Sequence, residues 1–201
     1  MDWESAVILM LSVVPFALAM SLSPGPNNIM IAAIASRHGA RRTLPYLLGT
    51  LVGISALMFA AGLGLGELFV RWPSAHGWLK AVGVAYLLWL AWRVATAPVS
   101  AEVTADKPFG FLTGVLFQWL NPKAWMMALG AFSIFTTVGG AVHAETLLIT
   151  LTCAVAFVPA LVLWTIIGVA AGRFLTSART VTVFNATMGV LIALSAGAVL
   201  V

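Results

Sequence analysis

Six long apolar stretches, separated by short polar connectors, constrain this chain more than any other feature of its sequence. They run over roughly 5–36, 44–66, 78–97, 110–136, 145–171 and 180–201. About 20 apolar residues are enough to cross the hydrocarbon core of a bilayer. Inside that core a backbone must satisfy its own hydrogen bonds, and single segments do so as helices. A soluble domain carries about a quarter of its residues as charged side chains, whereas this chain has 8% charged and 62% hydrophobic residues, with a mean hydropathy of +1.06. The fold class that follows is an all-α integral membrane protein with six transmembrane segments. Residues 1–201 form a single membrane domain, because no connector is long enough to build a soluble one.

Charge and cysteine content exclude several function classes. The net charge of +4 comes from basic residues sitting between apolar stretches, a pattern that orients a chain in a bilayer and gives no reason to expect nucleic acid. Cys153 is the only cysteine and lies in an apolar run, so there is no disulfide framework and no CxxC metal site. His38, His76 and His143 fall in or beside connectors without metal-ligand spacing, and no metal or cofactor is expected. The N-terminal "PFALAM" has the small-x-small pattern of a cleavage site at Ala17 and Ala19. The leading "MDWE" is acidic, however, and the apolar run exceeds a normal signal-peptide core. It reads as a retained first segment.

Orientation follows from Lys and Arg placement. Connectors one, three and five, with their flanking helix ends, hold Arg37, Arg41, Arg42, Arg93, Lys107, Arg173 and Arg179, against Arg71 and Lys80 on the other side. This places the odd connectors in the cytoplasm and both termini outside. Trp3, Trp72 and Trp78 then fall at the outer interface, where aromatic anchors belong.

Two segments are too long and are interrupted. The first carries "PGPNN" at residues 24–28 and the fourth carries "NPK" at residues 121–123. At ~1.5 Å per residue, more than thirty residues exceed a ~30 Å core. Proline in a helix interior loses a backbone hydrogen bond but is favoured at the first helical position, so Pro26 and Pro122 read as starts of second half-helices. They stand 96 residues apart, and "PGPNNIMIAAIA" aligns loosely with "LNPKAWMMALGA", as "VGVAYLLWLA" does with "MGVLIALSAG". The reading is therefore two inverted three-helix repeats, about 1–97 and 108–201. Broken helices at corresponding positions of such repeats mark the substrate site of secondary transporters.

Both half-helix starts would face the membrane centre, each with unpaired N–H groups and about half a positive charge. Pro24, Gly25, Pro26, Asn27 and Asn28 from the first break, and Asn121, Pro122 and Lys123 from the second, are the candidate substrate-binding residues. Together they would receive an anionic group such as a carboxylate. A buried lysine costs ~2.5–3.5 kcal/mol on insertion scales, a cost that a wet cavity and a bound anion offset. The plainer alternative makes the prolines ordinary kinks and Lys123 a snorkelling side chain. Gly49-x-x-x-Gly53 and Gly168-x-x-x-Gly172 read as helix packing. Trp119 and Trp125 flank the second break, either walling a cavity or packing helices.

The strings "SPGPNN", "SRHGARR" with "LLGTLVG", "GVAYLLWLAWR" and "FQWLNPKAW" resemble the LysE/RhtB family of amino-acid exporters, strongly from about Ser21 to Phe135 and by hydropathy thereafter. The resemblance implies a multi-pass bacterial inner-membrane exporter of small amino acids, driven by the proton gradient. "PGPNN", "YLLWLAWRVATAP" and "FQWLNPK" are similar to the subgroup that exports cysteine and O-acetylserine. One departure bears on substrate: some basic-amino-acid exporters carry an acidic residue in the second segment, and "YLLGTLVGISALMFAAGLG" has none. Asp2, Glu4, Glu67, Glu102, Asp106 and Glu145 all map to segment ends or connectors. A neutral or zwitterionic substrate fits better than a basic one, and the chain shows no obvious proton carrier.

An enzyme would need a nucleophile with its base, or metal ligands, within the membrane, and neither is visible. A channel, a structural membrane subunit and an exporter of another small carboxylate stand as alternatives. A channel usually shows a filter or a ring of charge, and a structural subunit has no use for two matched breaks. The expected partners are the lipid bilayer, a small amino-acid substrate and a coupling proton; a homo-oligomer is compatible with the sequence.

Overall fold

The structure, a computed structural model, describes residues 2–65, 73–97, 109–136 and 141–197. Among them the chain is entirely helical. The order is α1 (Trp3–Leu22), α2 (Pro26–Ala60) running into a π-helical turn (Ala61–Leu65), α3 (Pro73–Ala95), α4 (Phe111–Leu120), α5 (Pro122–Phe135), α6 (Val142–Phe174) and α7 (Ala178–Gly197). Three helical stretches, Trp3–Leu22, Pro26–Gly64 and Val142–Phe174, are long and apolar enough to cross a membrane. Large side chains such as Leu11, Leu112, Ile134 and Val155 are well exposed, a surface suited to lipid rather than water. Glu67, Arg71, Trp72, Glu102, Asp106 and Lys107 lie outside the described residues, as do the side chains of His76 and Lys80.

Local chemistry sets several helix ends. Asp2 caps α1, its Oδ1 accepting the Ser5 N–H at 2.8 Å, and Glu4 adds negative charge in the first turn. At α7, Ser177 and Thr180 cap each other: Ser177 Oγ accepts the Thr180 N–H at 3.2 Å and Thr180 Oγ1 accepts the Ser177 N–H at 3.1 Å.

The first connector, "RHGARR", is expected as a loop. Instead, helix continues on both sides and only Gly39 departs from it, at φ 74° and ψ 168°. That region is open to glycine and strained for other residues. The chain doubles back there. Asn27 is hydrogen-bonded to Tyr46 and Thr50, whereas 23 residues of straight helix would hold Asn27 and Thr50 roughly 35 Å apart. Glu145, expected at a segment end, lies at one. Helix α6 begins at Val142, earlier than the apolar run, so Glu145 sits in its first turn and is buried. Helix starts favour acids through the local N–H groups and dipole.

The glycine pairs pack backbone against backbone. A Cβ on Gly168 would strike the Ala32 carbonyl oxygen and come within 2.8 Å of Ala32 Cα, and one on Gly172 would lie 2.5 Å from the Ser36 oxygen. These two glycines seat α6 on the stretch of α2 before Gly39. Gly53 meets α4 in the same way, since a Cβ on it would lie 2.7 Å from the Val115 oxygen, and a Cβ on Gly114 of α4 would lie 2.8 Å from the Thr50 nitrogen. Elsewhere α3 packs chiefly on α7.

Apolar side chains gather into two cores. The first joins Val13 and Ala17 of α1, Ile54–Ala61, α5 and residues 149–157 of α6. The second joins Ile29–Ile34, Tyr46, Phe117 of α4, Leu161 of α6 and the buried face of α3. Helices α2 and α6 contribute to both, and the two interrupted regions lie where one core gives way to the other.

Candidate functional site

The chain leaves helix between Leu22 and Pro26 because Pro24 and Pro26 have no N–H with which to continue α1. Ser23 closes α1, its N–H donating to the Ala19 oxygen at 3.2 Å and its hydroxyl to the Met20 oxygen at 2.9 Å. Asn28 then reaches back from the next helix. Its Nδ2 donates to the Ser21 oxygen at 2.7 Å and the Ser23 oxygen at 2.9 Å, tying the end of α1 to the start of α2. No side chain caps the Pro26 end, so the backbone N–H groups of Asn27 and Asn28, which an α-helix leaves without an internal acceptor, lie at the break.

The second interruption is a single extended residue, Asn121, at φ −92° and ψ 109°. Its Oδ1 accepts the Lys123 N–H at 3.1 Å and its carbonyl accepts from Ala124 at 3.0 Å, so α5 is capped where α2 is not. Lys123 extends from this cap across to the first break. Its Nζ donates to the Ser23 oxygen at 2.7 Å, to Ser23 Oγ at 2.8 Å and to the Pro24 oxygen at 3.3 Å. Gly25 makes room, since a Cβ there would stand 2.8 Å from Lys123 Cδ and 3.0 Å from Nζ.

This arrangement refines the expectation of a cation aimed at an anion. The first break presents the carbonyl end of α1 as well as the N–H end of α2, and the ammonium is engaged by the carbonyl end, which carries the negative half of the helix dipole.

Asn27 is a hub. Its Oδ1 accepts from Gln118 Nε2 at 3.0 Å, Tyr46 Oη at 3.1 Å and Thr50 Oγ1 at 3.3 Å. All four side chains are buried. They join the start of α2, its returning half and α4 by one polar knot, the kind of fully connected buried network that fixes a unique arrangement.

Between the knot and the ammonium lies a cavity of about 30 Å³, lined on its polar side by Gly25, Asn27, Asn28, Gln118, Asn121 and Lys123. Met20, Ile54, Met127 and Phe157 form its apolar wall. The space suits one or two waters, so a larger solute enters only if the walls move.

Of the residues singled out from sequence, Gly25, Asn27, Asn28, Asn121 and Lys123 line this cavity. Pro24 contributes its carbonyl to Lys123, and Pro26 and Pro122 open their helices without lining it. Trp119 and Trp125 do not line it either. The Trp125 indole donates to the Trp119 oxygen at 2.8 Å and their rings meet edge-on at 6.0 Å, which is helix packing. Glu145 stands twelve residues from Phe157 on α6, roughly 18 Å away by helical rise.

Sequence reasoning missed Ser23, Tyr46, Thr50 and Gln118. Thr43, Tyr46 and Thr50 share one face at helical spacing in an otherwise apolar stretch, a signal that was available. Gln118 gives no such signal, because only the fold brings it to Asn27.

The family model described as "LysE type translocator" matches residues 18–201. Relatives include the cysteine/O-acetylserine efflux protein of Salmonella typhi, 37% identical over 121 residues, covering 60% of this chain and 62% of that protein. Those of Klebsiella pneumoniae subsp. pneumoniae (36% over 123 residues; 60% and 61%) and Escherichia coli O1:K1 (33% over 121 residues; 60% and 62%) carry the same name. The chain thus spans a little over three fifths of the length of these relatives. No solved structure matches it.

Proposed function

The chain belongs to the LysE type translocator family, and from that premise we propose that it exports a small neutral or zwitterionic amino acid or derivative, with cysteine and O-acetylserine as first candidates. The carrying observation is that the two interruptions, 96 residues apart in sequence, close on one cavity through the contact of Lys123 with Ser23 and Pro24. A structural bundle has no need of a lysine spanning two helix breaks, and a channel has no need of a cavity with room for only one or two waters.

In this reading the protein lies in the bacterial inner membrane as two inverted three-segment repeats, with both termini outside. The pairing of α3 with α7, the last segments of the two halves, supports that symmetry. The first core then closes the outer side of the cavity and the second core the cytoplasmic side. Transport consists of parting one core while the other stays packed.

Substrate reaches the cavity when the knot around Asn27 opens, and its carboxylate is received by the Lys123 ammonium and the uncapped N–H groups of Asn27 and Asn28. A charged acceptor binds such donors more strongly than a neutral one. Protons drive the cycle. The names of the relatives support cysteine or O-acetylserine, and the apolar wall of Met20, Ile54, Met127 and Phe157 supports an uncharged side chain.

Substrate counterflow in proteoliposomes tests the proposal. Vesicles loaded with unlabelled O-acetylserine should transiently accumulate labelled O-acetylserine above equilibrium. No counterflow with any small neutral amino acid would exclude a carrier and leave the channel or structural readings.

A further inference from the structure

We infer that the acceptors now holding Lys123 form a subsite for the α-ammonium of the substrate, and that Lys123 occupies it until substrate arrives. The inference rests on the exporter reading above and deepens it. Ser23 O, Ser23 Oγ and Pro24 O surround the ammonium at 2.7, 2.8 and 3.3 Å. An –NH₃⁺ group has three donors and no acceptor, and three oxygens from one short stretch of chain match it in number. Ser21 O and Ser23 O are also bridged by Asn28, which holds the carbonyls in place. The cluster combines a helix carboxyl end, negative in its dipole, with the exposed edge of a cavity.

Substrate ammonium and lysine ammonium are chemically alike, so one replaces the other without reorganising the acceptors. The Lys123 group released by that exchange becomes the counter-charge for the substrate carboxylate. The pair of subsites therefore reads the α-amino acid motif as a unit. A carboxylate without an ammonium leaves Lys123 torn between two partners, and an amine without a carboxylate must expel Lys123 with nothing to receive it. Either half alone binds poorly. Selectivity for zwitterions then comes from this exchange and requires no acidic side chain in the cavity.

The test uses the purified full chain in nanodiscs and the amino acid giving the strongest counterflow, compared with its 2-hydroxy acid and its decarboxylated amine. For serine these are glycerate and ethanolamine. Binding is read by ligand-induced thermal stabilisation. Wild type should bind the hydroxy acid at least ~10-fold more weakly than the amino acid, the loss expected for charge-assisted hydrogen bonds, and should bind the amine least of all. Lys123→Met vacates the subsite, so the two analogues should exchange rank: the amino acid weakens by about 10- to 100-fold, the hydroxy acid loses its counter-charge and the amine becomes a ligand.

Gly25→Ala provides a second variant that retains the charge. Its backbone at φ −168° suits alanine, and the new Cβ displaces the lysine tip. That Cβ also stands 3.0 Å from the ammonium position itself, so it crowds the subsite for any occupant: the amino acid should weaken here and the amine should gain nothing. Equal wild-type affinity for amino acid and hydroxy acid, no gain of amine binding in Lys123→Met, or unchanged amino-acid binding in Gly25→Ala would overturn the subsite while leaving export intact. Absence of any amino-acid counterflow would instead overturn the exporter reading.

Discussion

Replacing Lys123 with methionine separates the role of the charge from its structural role. Methionine keeps the length and apolar stem, so what disappears is the ammonium and its bonds to Ser23 and Pro24. The structural effect can be worked out from the partners left behind. Ser23 O keeps the Asn28 amide at 2.9 Å, Ser23 Oγ keeps its own bond to Met20 O, and the Pro24 carbonyl lies at an exposed edge. No buried acceptor is orphaned. The two short bonds, worth ~1.5–3 kcal/mol each as charged hydrogen bonds, are offset by the several kcal/mol of ammonium desolvation that methionine does not incur.

The folded protein should therefore change in stability by no more than about 1–2 kcal/mol, a shift of a few degrees in melting temperature. Transport should respond differently. Losing the cation that receives the substrate carboxylate weakens binding by about ten- to a hundredfold. The assay is initial export rate against internal substrate concentration, normalised to membrane protein, beside thermal unfolding of the purified variant. Wild-type rate and apparent affinity would make Lys123 a bystander. A collapse in melting temperature would make it a structural latch whose loss of transport says nothing of substrate.

Asn27→Ala should destabilise by about 2–4 kcal/mol, because it leaves the buried Gln118, Tyr46 and Thr50 donors without their shared acceptor; an unchanged melting temperature would break the knot as a structural unit. Gly168→Ala should cost about 1–3 kcal/mol through overpacking against the Ala32 backbone, and normal stability would mean that α6 sits further from α2. Alkaline phosphatase fused after Arg71 should be active and after Arg42 or Arg173 inactive, and the reverse pattern would invert the orientation drawn from the basic connectors. Efflux from loaded vesicles should accelerate with an inward proton gradient, whereas indifference to it would assign coupling to another ion or to none.

Hydropathy alone determined that this is a helical membrane chain, because apolar length and missing charge admit few other solutions. The same strings singled out "PGPNN" and "NPK", since proline and lysine inside apolar runs conflict with helix and hydrocarbon in ways readable residue by residue. Helix ends were less legible. Arg37, Arg41 and Arg42 look like loop residues by charge, yet they lie in helix because Gly39 alone performs the reversal. Glu145 sits at a helix start as its place in the sequence suggests, but only the packed bundle shows that it is buried.

What only tertiary structure decided is who meets whom across the breaks. That Lys123 bonds to the carbonyl end of α1, that Asn27 gathers Gln118 from 91 residues away, and that Trp119 and Trp125 pack on each other depend on how α2, α4 and α5 cross. Those crossings are set by close approaches such as Gly168 on Ala32 and Gly114 on Thr50. A sequence shows that a glycine has no side chain; only the packed bundle shows which backbone fills the space it leaves.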